Sequence, residues 1–212
     1  MKLYYSPGAC SLAVHIALRE AERSFELVRV DLHTHRLATG EDYCATVNRK
    51  GHVPALQLDG PGSDILTEAQ VVLQYVADLA PDKRMIPPWG TFARYHMMEL
   101  LSFISTEVHK QFGPLFHPET PSPVQERQRG KIGASLLYLQ ERVEEHVFLT
   151  GETFTVADAY LYVMLRWANR FGMNVQLWPN LDTFMDRVAE RPSVQGALHA
   201  EGLLSHRMRR SA

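Results

Sequence analysis

The chain has 212 residues and only two cysteines, Cys10 and Cys44, far apart and outside any CxxC spacing. That scarcity excludes a disulfide-stapled scaffold. Long apolar runs are missing as well. Charged and polar groups interrupt every window well short of a membrane-spanning length, and no charged-then-apolar leader opens the chain. We therefore expect no membrane association and a cytoplasmic protein. An excess of one charge is absent too: 22 basic against 24 acidic residues give a formal net charge of −2. This removes any global attraction to nucleic acid or anionic lipid. Glycine-rich phosphate loops, internal repeats and a Ser-His-Asp arrangement are not found. The ten histidines contain no HExxH, and His33-x-His35 has no cysteine or carboxylate at ligand spacing. No metal site is expected.

What is present is ample for a packed core, at 45% hydrophobic residues. Over the first eighty positions, strand-like and helix-like stretches alternate. Strand candidates are Lys2–Tyr5, Glu26–Val30, Ala55–Leu58 and Asp64–Leu66, with helices near 11–22, 41–47 and 68–79. Breakers crowd positions 81–91, which read as a linker. Beyond Phe92 the patterns are helical only. The expected organisation is an α/β domain over 1–80, an all-α domain over 92–204, and a solvated basic tail over 205–212.

The opening segment carries the sharpest chemical signal. After the strand, Ser6-Pro7-Gly8-Ala9 turns the chain and sets Cys10 at the start of a helix. Backbone N–H groups and the helix dipole at such an end stabilise a sulfur anion, whether that of Cys10 or one brought in by a ligand. A half-buried cysteine beside a turn fits the same residues equally well. Two further places bear on the choice. Val53-Pro54 precedes a strand and offers main-chain groups to an extended peptide. At Thr67-Glu68-Ala69 a strand passes into a helix whose first N–H groups suit a carboxylate, with Thr67 as cap and Glu68 free to meet an ammonium. A thiol tripeptide with a free carboxylate and amine at a γ-glutamyl end fits all three.

In the second half, the helix expected from about Phe92 to Phe112 has two stripes. Met97, Leu100, Leu101, Ile104 and Val108 form a core face, while Ser102, Ser105, His109 and Phe112 form a polar-to-aromatic one running toward Leu115 and Phe116. Periodicity alone reads the latter as a solvent face. Thr155-Val156-Ala157-Asp158 before an apolar run is a capping signature that starts a buried helix. Asp158 is thus a capping residue, and its replacement by alanine should cost roughly 1 kcal/mol or more.

In this order and spacing, Lys2–Leu12, Gly51-His52-Val53-Pro54, Ile65-Leu66-Thr67-Glu68, Arg94-Tyr95-His96, Glu107-Val108-His109-Lys110 and Phe154–Tyr160 resemble the bacterial beta-class glutathione S-transferases from Met1 to about Leu204. The resemblance implies a thioredoxin-like N-terminal domain and an all-helical C-terminal domain, with glutathione as co-substrate and a homodimer. It implies Cys10 and His109 as catalytic residues, the histidine donating a hydrogen bond or proton near the sulfur. Glutathione would be held by Tyr5, Ala9, Ser11, His35, His52, Val53, Pro54, Glu68, Ala69, Ser102 and Glu107, with Glu107 or Arg94 completing the partner's site. A small hydrophobic electrophile would lie against Phe112, Leu115, Phe116 and Trp167.

The chain departs from the family pattern at three of these places and at Val14. His35 stands where the class often has a lysine for the glycyl carboxylate, which would make glutathione affinity fall between about pH 6 and 8 unless Arg36, Lys50 or His52 substitutes. Ser102 replaces an asparagine, Ala69 a serine and Val14 a proline. Two other functions stay open on sequence: a Cys10-dependent redox enzyme acting by deglutathionylation or reductive dehalogenation, and a non-catalytic binding module of the same fold.

Overall fold

Strand β1 (Lys2–Tyr5) buries Leu3, Tyr4 and Tyr5, so it must lie inside the sheet it nucleates. In the computed structural model, which describes residues 1–60 and 64–204, β1 is the middle of five strands in the order β3-β2-β1-β4-β5. The others are β2 (Glu26–Asp31), β3 (Arg36–Leu37), β4 (Ala55–Gln57) and β5 (Ile65–Thr67). β2 runs parallel to β1 with Lys2 opposite Glu26, while β4 is antiparallel to β1 with Leu3 opposite Leu56. β5 is antiparallel to β4 with Leu56 opposite Leu66. The expected β-α-β-α-β-β-α order forms, completed by α1 (Ser11–Glu20), α2 (Tyr43–Thr46) and α3 (Ala69–Asp78). The short β3 was not expected. The expected tail over 205–212 lies outside the described residues.

Two compact units divide the chain: Met1–Val76 with the stretch from Ala189 onward, and Ala77–Val188. The C-terminal helix α9 (Pro192–Ala200) therefore belongs with the α/β unit, whereas the sequence pattern places it in the helical domain. The cause is the all-round burial of α1, whose residues Ser11 to Leu18 are all buried. A helix hydrophobic on every side needs a cover beyond the sheet, and Val194, Ala197 and Leu198 of α9 are buried in turn. Gly196 lets them meet, since a Cβ there would sit 2.8 Å from the Arg19 guanidinium.

The second unit holds α4 (Phe92–Phe103), α5 (Gly113–Phe116), α6 (Ser122–Glu144), α7 (Val156–Arg170) and most of α8 (Pro179–Ala189). The core stripe of α4 is as expected, with Met97, Leu100, Leu101, Ile104 and Val108 all buried. The single long helix is not. After Phe103 the chain widens into a π-helix over Ile104–His109 and tightens into a 3₁₀ turn over Lys110–Phe112. An i→i+5 turn rotates the residues beyond it, so the second stripe splits: Ser102 is exposed, whereas Phe112 is fully buried. Arg94, at 0% exposure, donates to both Asp78 oxygens (2.7 and 2.8 Å) and lies over the Trp89 ring. It is an internal ion pair of this unit, which corrects its expected place in a partner's site.

Candidate active site

Cys10 caps α1, following a turn closed by Ala9 N–H donating to the Ser6 carbonyl at 3.0 Å. The N–H groups of Cys10 and Ser11 at the helix start favour a negative charge on its sulfur, although the side chain accepts no capping hydrogen bond. Yet Cys10 is only 8% exposed, and its Sγ–H donates to the Val53 carbonyl at 3.1 Å. Burial pushes the thiol up to about 12, outweighing the two N–H groups, and the Glu68 charge adds to the rise. The expected lowering of the Cys10 pKa is thereby corrected: desolvation wins over the helix end. Cys10 is a neutral donor at pH 7.

Val53-Pro54 is a cis peptide bond leading into β4. On its N-terminal side, the carbonyl of the exposed His52 accepts from Tyr43 Oη and Asn48 Nδ2, both at 2.8 Å. Across β5, Glu68 adopts a left-handed backbone, φ 68°, and its carbonyl accepts from Val71 and Val72 to open α3. Thr67, expected as the cap, lies in β5 and accepts a hydrogen bond from Lys50 Nζ at 2.8 Å. The same ammonium pairs with Glu68 Oε1 at 2.5 Å. So Glu68 does meet an ammonium, but in the free protein it is that of Lys50, a residue outside the expected site. His35 turns inward instead, with Nδ1 buried and unpartnered, and the cation that reaches Thr67 and Glu68 is the exposed Lys50.

Beneath the Cys10 turn runs a buried network that sequence reasoning missed. Glu201, with a fully buried side chain, accepts from Gly8 N–H at 2.9 Å and meets His15 Nδ1 at 2.8 Å. Arg19 Nε–H donates to His15 Nε2 at 2.9 Å. Tyr5 packs edge-on against His15, and burial, then Glu201, raises its phenol pKa. Tyr5 is a neutral wall of the site rather than a phenolate. A separation of 186 residues between His15 and Glu201 left no local signal for this pairing.

In the helical unit, His109, Phe112, Phe116, Tyr160, Trp167 and Phe171 form one aromatic cluster. The His109 ring lies 5.1 Å from Trp167, and Phe116 4.7 Å from the same indole. His109 Nδ1 sits 2.6 Å from Tyr160 Oη; with the phenol donating, the neutral imidazole carries its proton on Nε2. Phe112 is fully buried and Trp167 and Leu115 nearly so, while Phe116 is 38% exposed. Of the four residues expected against an electrophile, Phe112 is thus a supporting ring and Phe116 the open one. Ser102 and Glu107 are exposed, their carbonyls accepting from Thr106 Oγ1 and Ser135 Oγ. Among the described residues no group of three or more His, Cys, Asp or Glu stands ready for a metal, and no helix is long and apolar enough to cross a membrane.

Comparison with known proteins matches both parts of this description. The family model described as the N-terminal domain of glutathione S-transferase matches residues 1–78, and the C-terminal domain model matches 103–192. The chain is 47% identical over 203 residues to glutathione S-transferase GstA of Escherichia coli O157:H7, covering 96% of this chain and 100% of that protein. A beta-class glutathione S-transferase of Sphingomonas chungbukensis superposes with a TM-score of 0.91 at 44% identity, covering 96% and 100% of the two chains. A sphingomonad glutathione S-transferase complexed with glutathione gives the same TM-score and coverage at 43% identity.

Proposed function

The chain belongs to the glutathione S-transferase family, and we propose that it conjugates glutathione to small hydrophobic electrophiles, with the Cys10 turn as the thiol site. The observation that carries this reading is the neutral Cys10 thiol at a helix start. A protonated sulfur can turn its hydrogen from the Val53 carbonyl to an incoming thiolate, whereas an anionic Cys10 would repel it. The N–H groups of Cys10 and Ser11 add positive potential at the same point. Glutathione would extend along Val53-Pro54, beside Ala9, Ser11, Tyr5 and His52, with its γ-glutamyl end at Glu68 and Ala69. In the helical unit, Phe116, backed by Phe112, Leu115 and Trp167, would hold the apolar electrophile, with the Nε2–H of His109 as donor. Ser102 and Glu107 remain proposed polar contacts of that unit. A Cys10 thiol near 12 weighs against the redox alternative, which needs a ready thiolate.

The test is conjugation of an activated nitro-chloroarene by the wild type and by Cys10→Ala. Losing one S–H donor should slow the alanine variant about fivefold, the worth of one hydrogen bond. Absence of conjugation in the wild type, or its abolition in the variant, would overturn the reading. We further propose a cytoplasmic, detoxifying homodimer. Support for self-association comes from Trp89, just before α4, and Phe92 and Tyr95 in its first turn, which are 64%, 76% and 57% exposed. Sedimentation velocity should give a dimer; a monomer at micromolar concentration would end that part of the proposal.

A further inference from the structure

The turn that sets Cys10 is anchored from the far end of the chain. Glu201, 193 residues from Gly8, accepts its N–H through Oε2 at 2.9 Å and meets His15 Nδ1 through Oε1 at 2.8 Å. Arg19 Nε–H donates to the other ring nitrogen, so the imidazole carries its proton on Nδ1 and donates it to Glu201. The His15 and Glu201 side chains are both at 0% exposure.

Helix stability does not account for this carboxylate. α9 ends in a glycine cap, in which Gly202, φ 69°, donates to the His199 carbonyl at 3.0 Å and Leu203 N–H to the Leu198 carbonyl at 2.8 Å. Glu201 is therefore the C-cap residue, where the helix end is negative and a buried anion is opposed by the dipole as well as by desolvation. The same cap lays Leu203 against the turn, its Cδ2 3.6 Å from where a Cβ on Gly8 would stand.

What the carboxylate holds is one peptide plane. Pro7 and Gly8 are the central pair of a turn closed by Ala9 N–H on the Ser6 carbonyl at 3.0 Å, and φ 71° at Gly8 is that of a type II turn. Types I and II differ by a flip of the central peptide, so an acceptor on Gly8 N–H selects the observed one. The helix start with the Cys10 and Ser11 N–H groups follows directly.

We propose that Glu201 is a positioning residue of the thiol site, locking the Pro7–Gly8 peptide and thereby fixing where the Cys10 and Ser11 N–H groups meet a glutathione thiolate. His15 and Arg19 hold the carboxylate in place. Its charge works the other way, since after burial it is the next cause of the raised Tyr5 phenol pKa and would disfavour a second anion nearby. The site needs the acceptor, not the charge. This inference rests on the proposed function for the thiol, whereas the anchoring of the turn does not.

The experiment compares the full-length wild type with two variants. Glu201→Met keeps the length and removes both acceptor oxygens, whereas Glu201→Gln keeps an oxygen for Gly8 and removes the charge. In Glu201→Met the Gly8 amide should exchange about tenfold faster while Leu12 and Ala13 of α1 keep their rates. Its kcat for the nitro-chloroarene should fall about tenfold, with calorimetric glutathione affinity changed less than about threefold, because the tripeptide keeps its main-chain contacts and only the sulfur is misplaced. Glu201→Gln should recover kcat to within about threefold of the wild type. A wild-type kcat in Glu201→Met, an equal fall in kcat and affinity, or a glutamine variant as slow as the methionine one overturns the proposal. A measurement free of variants stands beside these: the wild-type Gly8 amide should exchange within about tenfold of Ala13, and the fast exchange of an open turn also overturns it. Amide exchange needs no turnover, so it decides the anchoring even if the wild type fails to conjugate, which would end the proposed function; conjugation undiminished by Glu201→Met ends this inference alone.

Discussion

Asp158→Ala is expected to cost about 3–4 kcal/mol of stability, several times the loss of an ordinary helix cap. The carboxylate starting α7 is fully buried and accepts three hydrogen bonds: Leu149 N–H at 2.8 Å, and Thr155 N–H and Oγ1–H at 2.7 Å each. The Thr155–Asp158 capping box thus also ties down the chain at Leu149. Alanine would leave three buried donors without an acceptor at the foot of a helix whose Val156 to Leu165 are all buried. Burial also pushes the carboxyl up to about 6 in spite of those donors. The ordinary unfolded value is near ~3.9, so the native state holds the extra proton between those two values. Stability from this titration is fully present below ~3.9 and lost as pH rises through about 6. The penalty of Asp158→Asn should accordingly shrink, by on the order of 2 kcal/mol, between pH 4 and pH 7. Urea unfolding at both pH values checks this. A penalty that grows with pH, or an alanine variant as stable as the wild type, would contradict it.

Regular elements were legible because their signals are local. Lys2–Tyr5 and the start of α1 arise from one apolar run, a Pro-Gly turn and the onset of helical spacing. β3 has two residues, too few for alternation to register. The π-turn after Phe103 has no breaker to announce it, so a helical wheel carried Ser102 and Phe112 onto one face that the backbone then divides. The position of α9 depends on how much of α1 the sheet leaves uncovered, which is a property of the assembled unit.

The candidate site divides along the same line. Cys10, Val53-Pro54 and Glu68 sit where turn and cap chemistry put them. Their electrostatics were not readable, because a helix start argues for a thiolate while only the folded environment reveals the 8% exposure that reverses the sign at Cys10. Lys50 looked like one loop cation among several. Its bond to Glu68 needs the β4–β5 pairing that brings Thr67 beside the loop before Val53.

Glu68 gives the largest expected effect on ligand binding. Its left-handed backbone costs about 1 kcal/mol for any residue with a Cβ, which is the mark of a position kept for its side chain or its amide rather than for stability. Glu68→Gly relieves that strain while adding unfolded-chain entropy of similar size. Its unfolding free energy should stay within about 1 kcal/mol of the wild type, while Glu68→Ala keeps the strain and gains nothing. Both variants remove the carboxylate proposed for the glutathione ammonium, a charged hydrogen bond worth about 1.5–3 kcal/mol, so calorimetric titration should show affinity falling roughly 10- to 150-fold. Lys50 bears on the same carboxylate with the opposite sign. Its pair with Glu68 is exposed, with side chains 47% and 63% accessible, and such pairs contribute at most about 1 kcal/mol. An incoming ammonium can therefore displace it, and Lys50→Met should bind glutathione as tightly as the wild type or a few-fold more so. If Glu68→Gly bound glutathione normally, the γ-glutamyl end would have to lie elsewhere. If Lys50→Met lost affinity as steeply as Glu68→Gly, the lysine would be a direct ligand contact rather than a stand-in for the ammonium.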